Sequence, residues 1–88
     1  MTVFPATLTH LEIPEFSRLL LQQAPTQGEW TFDLSQLTHI DSAFLALLLA
    51  ILRLSQARNL QLKLNALPDN AKSLLAVYGI LELFKTTL

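Results

Sequence analysis

Residues 43–52 are an unbroken apolar run, and they follow directly on the polar segment Asp33-Leu34-Ser35-Gln36-Leu37-Thr38-His39-Ile40-Asp41-Ser42. The run stops at Arg53, far short of the roughly 20 residues that cross a bilayer, so it reads as a buried helix over about residues 42–57. Its large side chains fall on two stripes on different sides of the helix: Leu45, Leu48, Leu49 and Leu52 on one, and Phe44, Leu47, Ile51 and Leu54 on the other. Burying such a side chain is worth about 1.5–3 kcal/mol, so both stripes require cover. A neighbouring helix of the same domain accounts for Leu47, Ile51 and Leu54, whereas Phe44, at the helix entrance, is expected to meet a partner. Unpaired N–H groups and partial positive charge at that entrance allow Asp41 or Ser42 to cap the helix, and would tolerate a phosphate there.

The rest of the chain alternates strand-like and helix-like patterns. Thr2-Val3-Phe4 is a short β-prone piece closed by Pro5. Pro14 and Glu15 suit the first turn of a helix running to about Gln23, with Phe16, Leu19, Leu20 and Gln23 on one face. Trp30, Phe32 and Leu34 alternate with polar residues as a half-buried strand does, and so do Leu60, Leu62 and Leu64. Arg58-Asn59 closes the central helix, because asparagine tolerates a left-handed C-terminal cap. Asp69 or Asn70 can cap a last helix, with Ala71, Leu74, Leu75 and Tyr78 inward and Gly79 as its stop. Residues 80–84 fit a strand or a short helix equally well. Strands separated by helices imply an α/β fold, a small, largely parallel or mixed sheet of about four strands with helices packed on it. A chain of 88 residues makes a single domain over residues 1–88.

Several function classes are excluded. Six basic and seven acidic residues are scattered along the chain, which leaves no footprint for nucleic acid. Cysteine is absent, which fits a reducing compartment, and no export signal precedes Arg18, so a cytoplasmic location is expected. Charged residues are 15% of the chain and hydrophobic residues 51%, an apolar excess for a soluble domain that points to protein contacts.

His39 lies three residues before Ser42, but there is no Gly-x-Ser-x-Gly elbow, and the only other histidine is His10. With two histidines and no cysteine, no metal-ligand spacing appears. Gly28 and Gly79 are the only glycines, too few for a phosphate-cradling loop, so no cofactor is expected. The chain reads as a non-enzyme.

The segment Asp33-Leu34-Ser35, with Leu37, Ile40, Asp41 and Ser42 and continuing through Leu45 and Leu47-Leu48, resembles the strand-loop-helix of the STAS domain. That module occurs in bacterial anti-sigma factor antagonists, in sulfate-transporter tails and in one subunit of a phospholipid transporter. Ala6-Thr7-Leu8-Thr9 with Ile13-Pro14-Glu15-Phe16, and Pro68 with residues 77–84, are similar to its first loop and helix and to its end. The resemblance is greatest to the small STAS subunit of the Mla-type phospholipid ABC transporter.

It implies a non-catalytic subunit that binds and supports the ATP-binding subunit of such a transporter in phospholipid trafficking and outer-membrane lipid asymmetry. Such a subunit reaches the inner membrane only through its partner. The implied interface is His39, Asp41, Ser42 and Phe44. In the anti-sigma branch the residue matching Ser42 accepts a phosphate from a partner kinase, so the alternative is an antagonist regulated at Ser42 by an anti-sigma factor kinase. The family usually has a second hydroxyl or glycine where Ala43 stands and glycine where Phe44 stands, so the helix entrance expected here is bulkier and more apolar, which favours a permanent complex.

Overall fold

The computed structural model describes residues 1–88. Along the chain run β1 (Thr2–Val3), β2 (Thr7–Leu8), α1 (Ile13–Gln22), β3 (Glu29–Asp33), β4 (His39–Ile40), α2 (Ser42–Ala57), β5 (Gln61–Asn65), α3 (Asp69–Val77) and a 3-10 helix, Leu81–Thr87. The α/β class is as expected. Of the two arrangements expected the parallel one is found, with the strands divided between two sheets, one in the order β1-β3-β5 and the other pairing β2 with β4. The reason lies in the connections. A helix separates each strand from the next one in its own sheet and carries the chain back to the starting end, so no tight turn makes an antiparallel pair.

In the larger sheet Trp30 stands opposite Leu62 and Phe32 opposite Leu64, which puts their side chains in one buried layer. The smaller ladder lies just ahead of it. The Ala6 carbonyl accepts the backbone N–H groups of Thr38 at 2.8 Å and His39 at 2.9 Å, so β2 and β4 continue side by side from β1 and β3.

A single cluster of 19 buried apolar residues forms the core. Phe4 is its hub, with ring centroids 5.0 Å from Phe16, 5.1 Å from Phe32 and 6.5 Å from Phe44. The placement of Phe44 corrects the expectation of an outward anchor, since its relative exposure is 0% and its ring meets Phe4 edge-on. Both stripes of α2 are therefore covered from within. Phe44, Leu45, Leu47, Leu48 and Ile51 are buried, and Leu49, Leu52 and Leu54 are partly so, between α1 and the sheet.

Along α1 the inward positions are Ile13, Phe16 and Leu20, whereas Leu19 and Gln23 are exposed. The helix starts one residue before Pro14, so Ile13 joins Phe16 and Leu20 on the core-facing stripe and Leu19 turns to the surface. Residues 81–87 resolve the open alternative as a 3-10 helix, whose three-residue repeat buries Phe84 and Thr87 together. No helix is long and apolar enough to cross a membrane.

Candidate docking corner

The β4–α2 junction meets two other segments at one corner, the turn of residues 9–12 that leads into α1 and the first turn of α3. Asp41 is the cap of α2. It has extended backbone, and its Oδ1 accepts the Ala43 N–H at 2.9 Å. Its other oxygen reaches across the corner, where Oδ2 accepts the backbone N–H of His10 at 2.9 Å and lies 2.8 Å from His10 Nδ1. Those bonds, the backbone N–H of His10 foremost and its ring next, hold the Asp41 carboxyl below the usual aspartate range. An ionised carboxylate only accepts, so the ring must carry its proton on Nδ1.

Sequence reasoning missed His10 as a partner of this site, because the contact spans 31 positions. One local signal was available. Thr9-x-x-Glu12 has the form of a capping box, and Glu12 Oε1 accepts both the Thr9 N–H at 2.8 Å and its hydroxyl at 2.6 Å. The Thr9 hydroxyl is the main reason that the Glu12 carboxyl also titrates below its usual range.

The other side of the corner is equally tied. Asn70, in the first turn of α3, donates from Nδ2 to the Thr38 carbonyl at 3.1 Å, and Thr38 Oγ1 lies 3.0 Å from His39 Nδ1. His39 and Ser42 are exposed, Asp41 is about one-third exposed and His10 is 73% exposed. Of the four residues expected at an interface, three thus share one surface and Phe44 does not. The prominent apolar side chain at this corner is instead Leu11, 76% exposed at the apex of the turn.

This arrangement offers contacts more than chemistry. The Asp41 carboxylate is engaged at both oxygens, and no group of three or more metal-ligating side chains gathers anywhere. A groove of about 340 Å³ lies elsewhere, between the second half of α2, β5 and the 3-10 helix. Its buried hydroxyls, Ser55 and Thr87, donate to the Leu52 and Phe84 carbonyls, which leaves neither with a proton to donate to a ligand.

Compared with known proteins, residues 6–85 match the family described as "Mlab, STAS domain". Curated proteins and solved structures gave no significant match. The matched span takes in β2, β4, the start of α2 and the first turn of α3, and hence every residue of the corner.

Proposed function

The chain belongs to the STAS domain family, a non-catalytic protein-interaction module, and from that membership we propose that it is the small subunit that binds the ATP-binding subunit of an ABC transporter. The cargo is phospholipid, and the setting is the cytoplasmic face of the inner membrane, reached through the partner. The match of residues 6–85 to the family described for Mlab carries this reading, and the exposed corner of His39, Ser42 and Leu11 supplies a surface for it. Support of the ATPase follows if the corner binds one of its states more tightly than the others.

Co-expression with the ATP-binding subunit from the same organism tests the proposal. The two chains are expected to purify together, with the complex kept in Ser42→Ala and lost in Ser42→Arg, which puts a bulky charge on the surface. A lone chain, free of the ATPase in every condition, would overturn it.

A second reading has a specific observation in its favour. Phe44 does not shield Ser42, and the hydroxyl stands exposed at the start of α2. A kinase could reach it, as regulation of an anti-sigma factor antagonist requires. A phosphate would add nearly two negative charges beside Asp41 and alter any surface formed there. Incubation with ATP and the cognate kinase, followed by mass measurement, separates the readings, because only the second expects a stoichiometric phosphate on Ser42.

A further inference from the structure

Residues 9–12 form a turn whose own hydrogen bonds close on themselves. Glu12 Oε1 holds Thr9, and the Thr9 carbonyl accepts the N–H groups of Glu12 and Ile13, both at 3.0 Å. Leu11 N–H has only a long contact, 3.4 Å to Thr9 Oγ1. These bonds fix the shape of the turn and its junction with α1, but none of them reaches α2 itself. Behind the turn β2 pairs with β4, and ahead of it the Thr9 and Glu12 carbonyls accept N–H groups of α1, whereas its side-chain bonds to the entrance of α2 are the two from His10 to Asp41 Oδ2, with Asp41 Oδ1 on the N–H of Ala43.

We propose that Asp41 is a clamp joining the turn of residues 9–12 to the entrance of α2, so that Leu11 and Ser42 are presented as one preset surface. Asp41 is then a positioning residue, and the apolar contact with a partner is made by Leu11. A Leu side chain 76% exposed on a tethered turn loses little freedom on binding, whereas an untethered turn would have to be ordered by the partner at the expense of affinity. The use of the surface rests on the docking reading above; the clamp itself does not.

Asp41→Asn is the informative variant. Asparagine is as good a helix cap as aspartate, yet a carboxamide has one acceptor oxygen where the clamp uses two. If the oxygen stays on Ala43, the turn is released. If it flips to His10, the cap is lost instead, and amide exchange at Ala43 reports that case.

The experiment combines NMR of the whole chain with binding to the ATP-binding subunit. In wild type, the His10 ring nitrogens are expected to show a proton on Nδ1. In Asp41→Asn that signature is expected to disappear and exchange at the His10 amide to rise by about tenfold, with core amides of β3 and β5 unchanged. An unaltered ring signature and His10 amide, with Ala43 still protected, would overturn the clamp whatever the partner does.

Leu11→Asp is expected to leave the ring signature intact and to weaken ATPase binding by about tenfold or more, as loss of a buried anchor does. Unchanged binding by Leu11→Asp would overturn the role of Leu11 while leaving the clamp standing. No binding by the wild-type chain would refute the docking reading, and with it the proposed use of the surface, and the NMR result would still decide the clamp.

Discussion

Phe44 and Ser42 stand two positions apart and do opposite things. Phe44→Ala empties a fully buried site against Phe4, and the expected loss is about 3–5 kcal/mol, a large share of the stability of any small domain. Ser42→Ala, on the surface and outside the capping bonds, should stay within about 0.5 kcal/mol. Urea denaturation measures both, and Phe44→Leu should fall between them. The acid response belongs to this scale too. Asp41 titrates lower in the fold than in the unfolded chain, so its contribution is complete above the usual aspartate range and is lost as pH falls through the folded value. The urea midpoint is therefore expected to drop on acidification, and less so in Asp41→Asn. Some of the drop must survive in that variant, because Glu12, Glu15 and Asp33 are lowered in the same sense. His39, Asp41 and Ser42 were legible in the sequence as residues of one corner, but His10, Leu11 and the inward direction of Phe44 were not. An apolar run that wraps a whole helix gives no azimuth to Phe44, and nothing local announces that His10 reaches Asp41.

At the scale of elements, the longer segments were readable because their period survives over several residues. The central helix occupies residues 42–57 as its pattern implies, and Trp30, Phe32, Leu62 and Leu64 alternate inward as a half-buried strand requires. The two-residue strands Thr7–Leu8 and His39–Ile40 carry no period at all, and only their pairing with each other defines them. Element ends are set by single residues. Asn59 takes the left-handed backbone foreseen for it, with φ of 54°, and Gly79 ends α3 with φ of 73°. A Cβ on Gly79 would meet no atom within 4 Å, so the effect of Gly79→Ala is conformational alone. It is expected to destabilise by about 1–2 kcal/mol, read from thermal or urea unfolding. A much larger loss would mean that the turn is also held by packing not visible in this conformation.

For the whole molecule, the Cα radius of gyration is 12.0 Å, matching the roughly 12 Å expected for a folded chain of this length. One core implies one transition. Trp30, the sole tryptophan, lies in that core 5.0 Å from Phe32, so its fluorescence reports packing while far-ultraviolet circular dichroism reports the helices. The two unfolding curves are expected to superimpose, and separate midpoints would show that α3 or the 3-10 helix melts independently. The parallel pairing has a further consequence, for synthesis on the ribosome. The middle strand, β3, takes one neighbour from behind it in the chain and the other from ahead, and Phe32 finds Leu64 only after α2 has been translated. Until then the greasiest helix of the chain has no finished sheet to lie on, which makes the interval between the emergence of α2 and that of β5 the moment when a nascent copy most needs a chaperone.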